Sequence, residues 1–307
     1  MLEREFGKGE KRMSNGNEKV YQAVSSAIVL GLTLLSAIPL IYVISMSLVN
    51  EQEWIDRGGF ILWPQNPTLI AYERLFQGTA VLQALSATVV RTVLGTALVL
   101  LMTTLAAYVL SKRSLPGRKP MLFFILVTIL IGGGLIPTYL VVRDLHLLDS
   151  VWALILPGLV DSWSVLVLKQ FFENIPGELE ESAVIDGAGE VTLMSKIMIP
   201  MAAPAMAAIG LFIGVAHWNS WFDALIYLDD SKWHPIQLLI RNMFSSSEIG
   251  AQFNNAGQHN AFNPVNRVSA ESLKMALVVI GTLPILCVYP FLQKHFMKGM
   301  YLGAVKG

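Results

Sequence analysis

Cysteine is nearly missing from this chain. Cys287 stands alone in an apolar run, so no intrachain disulfide and no thiolate zinc cluster can form, and the residue reads as packing. Charge is scarce too: 14% of residues are charged, against about a quarter in a soluble domain. The 22 basic and 22 acidic side chains cancel, and no basic stripe with interleaved aromatics is present, which excludes nucleic acid as a partner. No G-x-x-x-x-G-K-S/T phosphate loop occurs, so any ATP must be bound by another chain. No His-x-x-His-type metal spacing and no nucleophile–base pairing exists, which leaves catalytic and metal sites without candidates.

What the sequence holds instead is apolar length. Hydrophobic residues make up 54% of it and its mean hydropathy is +0.55. A spanning helix needs ~20 mostly apolar residues. Six stretches reach that length, near 20–49, 84–110, 121–142, 151–172, 201–228 and 273–296. They predict an all-α membrane protein of six transmembrane helices, with a polar, mobile lead at 1–19 and a tail at 297–307. The first run is too long, and too far behind its polar lead, for a cleavable signal peptide. Lys and Arg on the side of the two ends outnumber those opposite by roughly two to one, which places both termini in the cytoplasm. Lys112, Arg113, Arg118 and Lys119, in the short loop after the second run, carry much of that bias. Trp54, Trp63, Trp152 and Trp233 fall near the outer boundaries, as an interfacial belt does. The outer segment 229–271 is too long for a tight connection, so it is either functional or poorly ordered.

The cytoplasmic loop 174–200 is the most informative stretch. Pro176 suits the start of a helix, and Glu178, Glu180 and Glu181 complement the positive end of its dipole. Leu179, Ala183 and Asp186 share one face at helical spacing. Asp186-Gly187 signals a turn, and a second helical stretch then runs to Pro200 and into the fifth span. Small residues at Ser182, Ala183, Gly187, Ala188 and Gly189 would admit a partner's backbone. On these residues alone, a surface helix with solvated acids is the plainer reading.

The spacing adds more. Glu181-Ser182-Ala183, Gly187, Ile197 and Pro200 stand in the register of Glu-Ala-Ala, three residues, Gly, nine residues, Ile, one residue, Leu, Pro. The stretch therefore resembles the EAA loop of ABC importer permeases, with Ser182 in place of Ala and Ile199 in place of Leu. Asp186-Gly187-Ala188 matches the Asp-Gly-Ala of that family. The segments 106–112 and 115–118, and the end of the chain from Phe296 to Gly307, are similar to the maltose-type carbohydrate-uptake permeases. Gly133 to Tyr139 and Trp152 to Pro157 resemble a branch serving complex oligosaccharide uptake in Gram-positive bacteria. The resemblance implies a type I ABC importer permease in the bacterial plasma membrane. Its implied partners are a second homologous permease, a dimeric ABC ATPase that binds the ATP and magnesium, and an extracytoplasmic lipid-anchored solute-binding protein. The implied substrate is an oligosaccharide, the surroundings are membrane lipid, and this chain holds no cofactor. Glu181, Ser182, Ala183, Asp186, Gly187, Ala188, Ile197 and Pro200 would then form the ATPase-coupling surface.

Polar groups within lipid usually face a bundle interior or an aqueous path. That singles out Trp218, Asn219, Trp221 and Asp223 in the fifth span, and Asp161 and Trp163 in the fourth, as a substrate path. Indoles stack on sugar faces, and Asn and Asp bond hydroxyls; interhelical packing accounts for the same residues. His217 reads as an interhelical residue, Arg91 as pairing with an acid or snorkelling, and Gly132, Gly133 and Gly134 as close packing or a kink. Two rival functions stay open at this point: an ion-driven secondary transporter, and a non-transporting scaffold or sensor subunit.

Overall fold

The computed structural model describes residues 3–245 and 268–304. In chain order the helices are α1 (Glu3–Ser47), α2 (Glu51–Arg57), α3 (Ile70–Gln77), α4 (Ala80–Ser111), α5 (Arg118–Leu130) and α6 (Leu135–Asp144). After two 3-10 turns, Val151–Leu154 and Leu156–Gly158, come α7 (Ser162–Glu173), α8 (Gly177–Ile185) and α9 (Glu190–Leu193). A π turn, Met194–Met198, leads into α10 (Ile199–Asn219), followed by α11 (Phe222–Tyr227), α12 (Ile236–Ser245) and α13 (Ala270–Ala304). No strand occurs among the described residues. The polar lead is a helical extension of the first span, since α1 already begins at Glu3.

The predicted spans survive unequally. Four helical stretches are long and apolar enough to cross a membrane: Glu18–Ser47, Ala80–Ser111, Glu190–Asn219 and Ala270–Val288. The spans expected at 121–142 and 151–172 are bent pairs, so six spans are reached only when each pair counts as one. The first pair, α5 and α6, turns through 114°. Ile131 is extended, and Gly134 at φ +82° takes a conformation that a side chain resists. A Cβ added to Gly132 or Gly133 would meet nothing within 4 Å among the described residues, so no neighbour within the chain packs on them. The second pair bends by 52°, where Pro157 sits in a 3-10 turn and Asp161 restarts the helix. The fifth span, expected to reach 228, stops at Asn219 because Ser220 is extended, and α11 starts afresh. The segment 229–245 is ordered and carries α12; 246–267, the rest of the long outer loop, lies outside the described residues.

The chain divides into two units. One runs to Glu73 and includes α13 up to Val279. In it Met46, Val49 and Ile61 are fully buried against Tyr42, Trp54 and Met275. Ser272 donates to the Val49 carbonyl at 2.7 Å. Asn50 caps α2 by accepting from the Glu53 N–H at 2.8 Å. The Glu53 carboxylate in turn accepts from Arg57 at 2.7 Å and from the N–H groups of Gln65 and Asn66. Burial pushes this carboxyl up, but those donors hold it below its ordinary 4.5.

The other unit begins at Arg74 and resumes at Ile280. Along α4 the buried positions Ala84, Thr88, Arg91, Gly95, Val99, Thr103 and Ala107 recur every three or four residues. That stripe packs on Leu168 and Phe172 of α7 and on Ala202, Ala205, Ile209 and Ile213 of α10. The opposite faces stay apolar and exposed, at Val93, Leu101 and Phe212 for example. In lipid such faces need no cover, and small buried residues let the backbones approach. Ala183, Leu193 and Met198 belong to the same core, which fixes the inner loop to the bundle.

Candidate coupling site and substrate path

Residues 176–200 fold as a helix, a turn and a second helix. Pro176 precedes α8, and Glu178 and Glu180 occupy its first turn. Asp186 closes the helix, and Gly187 takes φ +82° with open space around it. The N–H of Gly187 then reaches the Val184 carbonyl at 3.0 Å, and that of Ala188 the Ala183 carbonyl at 2.9 Å. Pro200 has no N–H for the preceding turn, and the backbone before it widens into the π turn.

The coupling candidates separate by burial. Ala183 points inward and Ala188 is half-buried against the core, so they seat the loop. Glu181, Ser182, Asp186, Gly187 and Pro200 are exposed, and Ile197 is half-buried. The helix leaves Leu179, Val184 and Ile185 open, Ile185 most of all at 85% exposure.

Ion pairs hold the loop to the bundle. Lys112, just past the end of α4, pairs with Glu180 and lies 3.7 Å from Glu190. Tyr108 donates its hydroxyl proton to Glu190. Arg118 and Lys169 both pair with Glu173 at the end of α7. In the sequence, Lys112 registers only as a topology signal, and Glu180 only as a dipole partner. The available signal is a basic residue closing a span, with acids on both arms of the 174–200 loop.

The path candidates lie near the other end of α10. Trp218 is buried, and its indole N–H donates to the Gly281 carbonyl at 2.9 Å. Asp223 pairs with Arg91, which also donates to the Ser220 carbonyl at 3.1 Å. Asp161 caps α7 by accepting from the Ser164 N–H at 3.0 Å. These three have partners inside the chain. Asn219 and Trp163 are exposed, and Trp221 is half-buried with the Arg241 guanidinium 4.4 Å from its ring. His217 packs on α4, where a Cβ at Gly95 would sit 2.6 Å from its Nε2. Nearby, Asp149 at φ 56° accepts from the N–H groups of Asp229 and Asp230, which hold its carboxyl below the usual range. No group of His, Cys, Asp and Glu that could hold a metal occurs among the described residues.

No family model matches the chain. It is 41% identical to the polygalacturonan/rhamnogalacturonan transport system permease protein YtcP of Bacillus subtilis, over 94% of this chain and 99% of that one. It is 40% identical to protein LplC of the same organism, over 94% and 96%. Among solved structures it is similar to a chain of a bacterial ABC transporter involved in the import of the acidic polysaccharide alginate. That match has a TM-score of 0.81 and 27% identity, and covers 91% of this chain and 98% of the other.

Proposed function

Since the chain belongs to the permease subunits of ABC sugar importers, we propose that it forms half of an oligosaccharide path across the bacterial cell membrane and couples that path to its ATPase through α8. Such a permease is an integral membrane protein that works with a second permease, an ATPase and a binding protein, and it is not itself catalytic. ATP and magnesium sit on the ATPase. Closure of the ATPase dimer would draw the two permeases' inner helices together and rock the spans from inward-open to outward-open. In this reading both termini are cytoplasmic and the binding protein is lipid-anchored. The core comprises six spans at 20–296, with the coupling loop at 174–200.

One observation carries the coupling reading: α8 leaves Val184 and Ile185 exposed at a charged end of the bundle, on a loop anchored beneath by Ala183. Within that surface Glu181, Ser182, Asp186 and Gly187 meet the ATPase, while Ala183, Ala188, Ile197 and Pro200 support them. For the path, Asn219, Trp221 and Trp163 keep surface to offer a sugar, and Trp218, Asp223 and Asp161 hold the helices that present it. The cargoes named for similar proteins, polygalacturonan, rhamnogalacturonan and the acidic polysaccharide alginate, favour oligosaccharides of such polymers as the cargo.

Affinity purification from native membranes in mild detergent, followed by mass spectrometry, tests the assembly. A second permease with a P-loop ATPase and a lipoprotein is the expected result. A lone chain that persists after crosslinking would return the weight to an ion-driven transporter or a scaffold.

A further inference from the structure

The loop that carries α8 contains its own potential hinge. Gly187 sits between α8 and α9 at φ +82°, with nothing within 4 Å of the place a side chain would take. Ala183, Leu193 and Met198 seat the loop on its core side. On the opposite, open side a lever that could still bend at this glycine would lose part of a push, so a tie there between the two arms and the span behind them would let them move as one body.

Lys112 is placed to do so. Its ammonium pairs with Glu180 on the first arm and lies 3.7 Å from Glu190 on the second, so a single cation reaches across the turn. The Tyr108 hydroxyl takes Glu190 as well, and the Lys112 ammonium stands 4.7 Å from the Tyr108 ring. Tyr108 is itself buried in the core with Phe172. The Lys112 side chain is 17% exposed, whereas Glu180 is 37% and Glu190 73% exposed. The cation is therefore shielded and its nearer acid partly so, which keeps the Glu180 contact from being fully screened.

We propose that Lys112 is a positioning residue that clamps both arms of the coupling loop to the inner end of α4, so that displacement of α8 is delivered to that span and not absorbed at Gly187. This rests on the coupling reading above. The contacts are with the chain's own elements, and the role is mechanical.

Pulsed electron–electron spin resonance on the assembled complex tests it. Cys287 is first replaced by Ser, and spin labels are attached at Glu178→Cys on α8, outside the proposed docking residues, and Val93→Cys on α4, both exposed. With Lys112 intact the distance distribution should be narrow, and it should not shift when the complex is trapped with ATP and vanadate. Lys112→Glu or Glu180→Lys should widen it about twofold, as a second arrangement becomes populated. The two reversals together, combined with Glu190→Gln so that no like charge faces position 112, should restore the narrow distribution, which general damage to the fold would not allow. Glu190→Gln alone should have the smaller effect. ATP hydrolysis driven by loaded binding protein should fall about fivefold or more in the single reversals and recover in the combined variant.

A parent complex whose distance shifts on trapping, or reversals that leave the distribution narrow, would overturn the clamp. If no ATPase purifies with the chain, the coupling reading falls instead, and the nucleotide-free widths still decide whether Lys112 clamps the loop.

Discussion

Arg91 is only 2% exposed on α4, and its charge is answered by Asp223 and the Ser220 carbonyl. Removing one partner leaves a buried charge alone, which costs about 3–5 kcal/mol. Arg91→Met and Asp223→Leu should therefore each lower the thermal midpoint of the purified complex. The double change should lose much less than the two losses added together, as a double-mutant cycle will show. Glu53 gives a pH dependence of known sign. Its folded-state value lies below 4.5, so its contribution is complete above 4.5 and is lost as pH falls through the depressed value. Amide protection across 51–66, taken relative to the intrinsic exchange rate at each pH, should fall on acidification, and Glu53→Gln should flatten that fall. Gly187 holds a left-handed backbone that costs a side-chain-bearing residue about 1–2 kcal/mol. Gly187→Val should leave the chain in the membrane while lowering substrate-stimulated ATP hydrolysis; unchanged hydrolysis would remove Gly187 from the coupling site.

Helices meet here through small residues, and one contact is close enough to test. A Cβ on Gly95 would meet the His217 ring at 2.6 to 2.9 Å, so α4 and α10 approach only because position 95 is bare. Gly95→Val should cost about 1–3 kcal/mol through overpacking. His217→Ala in the same chain should return most of it, measured as thermal unfolding in detergent. The long helices were legible in the sequence because apolar length is itself the signal. The bend at Gly134 was legible as one of two readings of its glycine run, a kink or close packing; the break at Ser220 was not, since hydropathy averages over an extended residue without registering it. The helix–turn–helix was legible because Asp186-Gly187 signals a local backbone state that needs no distant contact. Trp218 went the other way. Its indole is answered by a carbonyl 63 residues further on, and no local pattern announces such a partner. The same holds for Lys112, whose partners stand 68 and more residues away.

For the molecule as a whole, the structure separates residues that hold the helices from those with surface left over. Asn219 is exposed at the end of α10 and bonds only the Val215 carbonyl of its own helix, at 3.0 Å. Asn219→Leu should lower uptake of the transported oligosaccharide severalfold while the complex assembles in normal yield; normal uptake kinetics would move Asn219 among the packing residues. The ion pair that fastens the bundle also has a history in time. Asp223 is synthesised 132 residues after Arg91. At about 5–20 residues per second, the ribosome leaves the second span without its counter-charge for on the order of ten seconds. An unpaired arginine costs about 2.5–3.5 kcal/mol at the centre of a span by insertion scales. The second span therefore gains the last part of its stability in the bilayer only when the fifth arrives, which couples the insertion of two helices that are far apart in the chain.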